Sequence, residues 1–244
     1  MKWLFLSSGL NSGNFNMETD SYLALNCEPD EAVFRLYQWQ PYCISLGTNQ
    51  DERIIDYAET KKDNIDVVKR PTGGRAILHA EEITYSVIYP ASPETSAREL
   101  YTNINFALKR GLEKYNSKLS GIELENSQPD FPKIYKEVSG SICFAASAKS
   151  ELKYGGKKLV GSAQRKFKNS ILQHGSILCG SYHTNIINYL KISDEEKDKI
   201  QNELNEKTID LNMILKEKID YEGLSEFLAL GFQEYFNIES LQYL

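Results

Sequence analysis

The segment Ala97–Tyr115 constrains the fold of this chain most. Leu100, Tyr101, Ile104, Ala107, Leu108, Leu112 and Tyr115 recur at helical spacing and form one apolar stripe, and Ser96 with Glu99 supplies a capping-box pattern just before it. A helix with one apolar stripe must bury it against another layer, and the segments around this one are strand-like. Residues 3–6, 33–39, 67–69, Cys43–Leu46 and Ser170–Leu178 read as strands, and 76–78 is expected to pair with 84–89 as a hairpin. Helical spacing at 16–25 and a short helix at 53–60 interrupt them, so the chain reads as α+β. Residues 116–138 are polar and carry prolines, which predicts a loop. Residues 150–154, the turn Gly155-Gly156 and residues 158–164 read as a second hairpin. Beyond Ser193, which opens a capping box with Glu196, the pattern turns helical, with a second amphipathic run at 221–236. A soft boundary near residue 185 separates a body of residues 1–185 from a C-terminal helical extension, 186–244, packed on it.

Length and composition fit that body. At 244 residues, with 41% hydrophobic and 25% charged side chains, the chain buries a core that needs no disulfide staples, and disordered or collagen-like classes are excluded. No stretch approaches the roughly 18 apolar residues of a membrane span, and the first ten residues lack a cleavable leader pattern, so a cytosolic protein is expected. The net charge of −6 argues against indiscriminate nucleic-acid binding. A basic cluster nevertheless sits inside this acidic chain: Lys149, Lys153, Lys157, Lys158, Arg165, Lys166 and Lys168 stand against the one acid Glu151. Cys27, Cys43, Cys143 and Cys179 lie far apart with no C-x-x-C pair, which points to thiols and away from a zinc knuckle or redox dithiol.

Three segments carry candidate chemistry. In Arg70-Pro-Thr-Gly-Gly-Arg-Ala-Ile-Leu-His79, Gly73 and Gly74 let the backbone turn sharply and bring N–H groups close to a ligand, and Arg70 and Arg75 add positive charge. Taken alone, the paired glycines more often mark a hairpin turn, here with two solvated arginines. In Lys157-Lys-Leu-Val-Gly-Ser-Ala-Gln164 and Leu172-Gln-His-Gly-Ser-Ile177, a strand bearing Lys158 and ending in small residues makes a wall for a narrow slot, and the next strand adds His174. A solvated basic hairpin is the alternative. The third segment is Ser141-Ile-Cys-Phe144. Cys27, Cys43 and Cys179 read as inert core thiols, whereas Cys143 follows a polar loop and precedes the lysine-bearing hairpin. A thiol near its ordinary pKa is only a few per cent thiolate at neutral pH, and a neighbouring ammonium raises that fraction. His183 has no motif around it and reads as a surface loop residue.

Taken together, Arg70–Arg75 with His79 and residues 83–86, Ser141-Ile-Cys143-Phe144, Gly156–Gln164 and residues 172–177 resemble the biotin/lipoate protein ligase and octanoyltransferase superfamily, most closely the LipM-type octanoyltransferases. Phe15-Asn-Met17 and Ser45-Leu-Gly47 with Gln50 also fit, so the resemblance runs over about residues 3 to 180 in order. It implies a mixed, largely antiparallel sheet packed with helices, an elongated acyl tunnel, and transfer of octanoyl from octanoyl-acyl carrier protein to a lysine of a lipoyl-domain protein such as the glycine-cleavage H protein. By the same resemblance, Cys143 is the acyl-thioester nucleophile and Lys158 the residue that lowers its pKa. Arg70, Gly73, Gly74, Arg75, His79, Gly161, Ser162, His174 and Gly175 are the substrate-binding set.

Neither cofactor nor metal is implied, and no nucleic acid, membrane or second copy of the chain is expected as a partner, so a monomer is expected. Oxyanion stabilisation falls to the Gly73-Gly74 N–H groups or to Lys158. The basic cluster would steer the acidic carrier and lipoyl domains. One departure is Ala80, where the family usually has Asp; Glu81 or Glu82 is the available substitute. The rival within the superfamily is an ATP-dependent lipoate-protein ligase, which needs no cysteine, usually has Asn-Asp where this chain has Cys143-Phe144, and often adds a C-terminal domain. An octanoyl or lipoyl amidotransferase and a non-enzymatic acyl-carrier or lipoyl-domain binding protein are the further alternatives.

Overall fold

Alternating inward and outward side chains on three long strands place a helical layer on one face of a sheet and a slot on the other. The computed structural model describes residues 1–125 and 150–243. Cys143, Lys149 and the remainder of the expected loop lie outside the described residues. In chain order the elements are β1 (Lys2–Asn11), α1 (Gly13–Leu25), β2 (Glu31–Trp39), β3 (Cys43–Leu46), α2 (Tyr57–Lys62), β4 (Asp66–Lys69), β5 (Ile77–His79), β6 (Glu82–Pro90), α3 (Ala97–Tyr115) and β7 (Ile122–Leu124). Then follow β8 (Leu152–Tyr154), β9 (Lys157–Lys158), β10 (Val160–Lys166), β11 (Ser170–Leu178), α4 (Asp194–Lys207), α5 (Leu211–Leu215), α6 (Tyr221–Tyr235) and β12 (Gln242–Tyr243), with short 3-10 turns between several of them.

The large sheet has the strand order β10-β11-β6-β2-β1-β12. Its first three pairings are antiparallel and the last two parallel. A three-stranded sheet β4-β3-β5 stands apart from it, and β7-β8-β9 forms another. The expected mixed, largely antiparallel α+β architecture is what the chain adopts.

On β2, Ala32, Phe34 and Leu36 point to one face, together with Ile83, Tyr85 and Val87 of β6. α3 and α6 cover that face, with Phe34 and Phe232 stacked at 3.8 Å between ring centroids. The predicted stripe of α3 supplies Leu100, Ile104, Ala107, Leu108 and Leu112 to this core, and the Ser96 hydroxyl accepts from the Glu99 N–H at the helix start. The opposite face carries Arg35, Tyr37 and Trp39 of β2, Thr84 and Ser86 of β6, and His174 and Ser176 of β11. Helix α1 and the β4-β3-β5 sheet lie over it. Among the described residues no helix is long and apolar enough to cross a membrane.

Several expectations need correction. Residues 76–78 do not pair with 84–89: β5 pairs antiparallel with β3, while both edges of β6 are taken by β11 and β2. All three side chains of β5 are buried, and a ladder already filled on both sides leaves no edge for a hairpin partner. The second hairpin is shorter than expected, because β9 pairs with β8 for only two residues before the chain passes through Leu159 into the large sheet as β10. The loop expected from residue 116 begins instead with a 3-10 turn at Ser117–Gly121 and the strand β7. His183 is not a surface residue. It is 5% exposed, with its ring nitrogens on the Gly180 carbonyl at 3.3 Å and the Thr208 hydroxyl at 2.9 Å.

Candidate active site

The slot lies between the large sheet and the β4-β3-β5 sheet. Its wall is almost entirely carbon. Tyr37 and Trp39 of β2 line the slot on one side and Gly161, Ser162 and Ala163 of β10 on the other, with Met17 of α1 and Ile77 of β5 also in its wall. Of the expected substrate-binding set, Arg70, His79, Gly161, Ser162, His174 and Gly175 line it, while Gly73, Gly74 and Arg75 lie on the adjoining loop.

A Cβ on Gly175 would stand 2.4 Å from the Gly161 carbonyl oxygen and 2.8 Å from Tyr85 Cε1, so only glycine lets β10 and β11 meet there. Gly74 turns the adjoining loop with φ +95°, a left-handed conformation that favours glycine. Arg70 does not serve as a solvated cation. It is buried and donates to the carbonyls of Ser45, Gly73 and Arg75 at 2.7–3.2 Å and to Ser45 Oγ at 3.1 Å, which fastens the glycine loop to β3.

Two buried carboxylates orient the two histidines. Asp20 accepts from Arg35 Nη1 at 2.8 Å, from the Tyr37 hydroxyl at 2.9 Å and from the Ser86 hydroxyl at 2.8 Å, and lies 3.1 Å from His174 Nδ1. Burial pushes the Asp20 carboxyl up, but the His174 hydrogen bond and the Arg35 guanidinium outweigh it and hold the group below the usual carboxylate range. Burial lowers the His174 pKa against the pull of Asp20, so at neutral pH the ring is neutral. Because an ionised carboxylate only accepts, Nδ1–H donates to Asp20, and Nε2 accepts from the Thr72 hydroxyl at 2.7 Å. This ties the glycine loop to β11.

Glu82 takes the place beside His79 that the Ala80 departure left open. Its Oε1 lies 2.8 Å from His79 Nδ1 and also accepts from the Thr84 and Ser176 hydroxyls. Burial opposes ionisation of Glu82, and His79 with these hydroxyls overrides it. His79 Nε2 stands 2.7 Å from Ser45 Oγ, and its ring stacks on Trp39 at 4.1 Å. Glu81 serves elsewhere, accepting from the Tyr182 N–H.

Lys158 is buried, with Nζ 3.0 Å from Glu151 Oε2. The other oxygen of Glu151 accepts from the Ser162 N–H at 3.0 Å, so one carboxylate joins the lysine to the slot wall. Ser162 Oγ in turn bonds to the Tyr85 hydroxyl at 2.7 Å. The three described cysteines are poor thiolates. Burial pushes Cys43 and Cys179 up, and burial with Glu31 and Glu28 pushes the half-buried Cys27 to about 11.

Asp20, Arg35 and Glu151 escape the sequence reading as site residues, while Glu82 is one of the two carboxylates it offered in place of the family's Asp. The available signal is a polar residue at a core position: Asn16 and Asp20 share the buried stripe of α1 with Met17 and Ala24, and Arg35 occupies an inward register position of β2.

Comparison with known proteins agrees with this geometry. The model of the lipoyl protein ligase A/B catalytic domain matches residues 12–233. The chain is 34% identical to the octanoyltransferase LipM of Lysinibacillus sphaericus, over 97% of this chain and 88% of that protein. It is also 34% identical to the LipM of Kyrpidia tusciae, over 95% of this chain and 86% of that protein. Among solved structures, a bipartite lipoate protein ligase of Thermoplasma acidophilum superposes on all of this chain and 88% of its own, with a TM-score of 0.77 at 18% identity, a likeness of fold. With a family model spanning nearly its whole length and relatives this similar, the chain belongs to the lipoyl protein ligase A/B catalytic-domain family.

Proposed function

We propose that this chain is a protein N-octanoyltransferase of lipoate biosynthesis that carries the octanoyl group on Cys143. The observation that carries the assignment is the pairing of a narrow carbon-walled slot with relatives named octanoyltransferase at 34% identity over nearly the whole chain. The donor in this scheme is octanoyl-acyl carrier protein and the acceptor a lysine of a lipoyl domain. The distribution of thiols supports Cys143 as nucleophile, since the other three are raised well away from the thiolate form.

In the first step the Cys143 thiolate attacks the donor thioester. A new C–S bond forms, the donor's C–S bond breaks, and the departing thiolate takes up the proton that Cys143 gave up. In the second step the acceptor amine attacks the Cys143 thioester. The amide C–N bond forms, the thiolate leaves, and the amine's proton passes to solvent or to the thiolate. Lys158 supplies a fixed cation for the sulfur and for the oxyanion of each tetrahedral intermediate, and Glu151 holds it in place. The acyl group arrives already activated as a thioester, so ATP has no part in the scheme.

The test is transfer from octanoyl-acyl carrier protein to a purified lipoyl domain without ATP, beside a parallel reaction with free octanoate and ATP. Octanoylated lipoyl domain in the first reaction alone is the expected result. Product in the second alone would make the chain a ligase.

A further inference from the structure

Lys158 ends β9, a strand of two residues. Its pairing with β8 runs through Lys153 and Tyr154 only, and so short a pairing is marginal by itself. The other side of Lys158 is held from the C-terminal part of the chain. Thr208, at the end of α4, leaves the helix in an extended conformation and bridges Lys158 in parallel, and the Ile209 N–H donates to the Lys158 carbonyl at 3.0 Å. The carbonyl of the next residue, Leu159, accepts from the Leu178 N–H of β11 at 3.2 Å. Two segments therefore grip the lysine backbone, residues 208–209 on one side and the end of β11 on the other.

His183 joins these two segments. Its Nδ1 lies 3.3 Å from the Gly180 carbonyl and its Nε2 2.9 Å from the Thr208 hydroxyl. A carbonyl only accepts, and burial keeps the ring neutral near pH 7, so Nδ1–H donates to Gly180 and Nε2 accepts from Thr208. The Leu204 carbonyl, 2.7 Å from the same hydroxyl, is served by the Thr208 N–H at 2.9 Å. Gly180 is itself fixed, because its N–H donates to the Glu81 carbonyl at 2.9 Å, and the Asn212 N–H, donating to the Cys179 carbonyl at 3.1 Å, keeps the two segments close. The contacts close a ring from Lys158 and Leu159 through Leu178 and Gly180 to His183, Thr208, Ile209 and back to Lys158. Its other hydrogen bonds join backbone to backbone, whereas the His183 link depends on two buried side chains.

We infer that His183 and Thr208 are positioning residues for Lys158: their hydrogen bond sets the backbone that carries the ammonium, so the joint after α4 takes part in acyl transfer. The inference rests on the role given to Lys158 in the function proposed above. A link that served folding alone would change stability and nothing more. A positioning link also moves the thiol that Lys158 serves.

The test is the pH dependence of Cys143 alkylation by iodoacetamide, located by peptide mass spectrometry, in the wild type, Thr208→Val, Thr208→Ser and Lys158→Met, with kcat and KM for octanoyl transfer beside it. Lys158→Met is expected to raise the alkylation midpoint by about 1–3 pH units, the effect of removing a cation from beside a thiol. Thr208→Val keeps the branched shape and removes the hydroxyl. It is expected to raise the midpoint by part of that amount and to lower kcat about tenfold with KM nearly unchanged, where a full misplacement of about 1 Å costs about 100-fold. Thr208→Ser, which keeps the hydroxyl, is expected to restore both. A Thr208→Val midpoint equal to that of the wild type, beside a raised one in Lys158→Met, would overturn the inference. If Thr208→Val does not fold, His183→Asn breaks the same bond and decides by itself. If Lys158→Met leaves the midpoint where it was, the role of Lys158 proposed above fails, and acetylation of the Lys158 amine, scored against the exposed Lys61, still judges the link. Faster acetylation in Thr208→Val than in the wild type upholds it, and equal rates overturn it.

Discussion

Lys158, His79 and His174 are each held by a buried carboxylate, Glu151, Glu82 and Asp20 in turn. Lys158 is the sharpest case, because an ammonium this deep is stable only beside its carboxylate. Glu151→Gln removes that carboxylate charge. It is expected to lower unfolding free energy by ~3–5 kcal/mol, measured by urea denaturation, and to reduce octanoyl transfer with it. Glu151→Leu combined with Lys158→Met is expected to recover much of the stability and none of the transfer. A single variant as stable as the wild type would remove the pair from this account. At this scale the sequence is legible in part. Lys158, His79 and His174 stand out by motif and Glu82 is one of two carboxylates offered beside His79, whereas Glu151 and Asp20 become visible only when folding brings them beside a partner 7 or 154 residues away.

At the scale of elements, local pattern and tertiary competition divide the outcome. Ala97–Tyr115 and Ser170–Leu178 adopt the expected structures over the expected residues, and the Ser193–Glu196 capping box forms in both directions. Each of these is decided by residues within the element. Strand pairing depends on which edge is free, and that information lies far along the chain, so the expected partner of residues 76–78 was taken by β11 and β2. The same reason hides His183, whose 3-10 turn is fastened to Thr208 at the end of α4.

Burial lowers the His183 pKa from 6.5 to about 4. Between those values the unfolded chain binds a proton that the folded one does not, so stability falls as pH falls, and the sign is that of a buried neutral base. The slope approaches ~1.4 kcal/mol per pH unit, or about 3 kcal/mol over the window, and His174 adds in the same direction. Urea midpoints at pH 7, 6 and 5 are expected to decline, and to decline less for His183→Asn. Equal slopes for both proteins would contradict the placement of this ring.

Over the whole molecule, the net charge of −6 conceals an uneven surface. The basic cluster divides on folding. Lys158 is buried with Glu151, Lys153 pairs with Glu125, and Lys157 donates to the Asn205 carbonyl. Arg165, Lys166 and Lys168 remain exposed, and Arg165 reaches the Pro71 carbonyl at 2.7 Å, beside the glycine loop. Lys166→Glu with Lys168→Glu is therefore expected to raise the KM for an acidic carrier donor severalfold at low ionic strength with kcat nearly unchanged. The difference should vanish toward 1 M salt, where the Debye length is about 3 Å. A KM independent of both substitutions and salt would place the docking surface elsewhere. The helices after residue 185 take part in the same core as the strands before it, through Leu224, Leu228 and Phe232.

In the proposed reaction octanoyl rests on Cys143 between donor and acceptor. Intact-mass spectrometry of the protein mixed with octanoyl-acyl carrier protein, without ATP or acceptor, tests it most directly. One octanoyl adduct on the wild type, absent from Cys143→Ala and discharged when a lipoyl domain is added, is the predicted result. An adduct that persists in Cys143→Ala, or transfer that proceeds without Cys143, would contradict it.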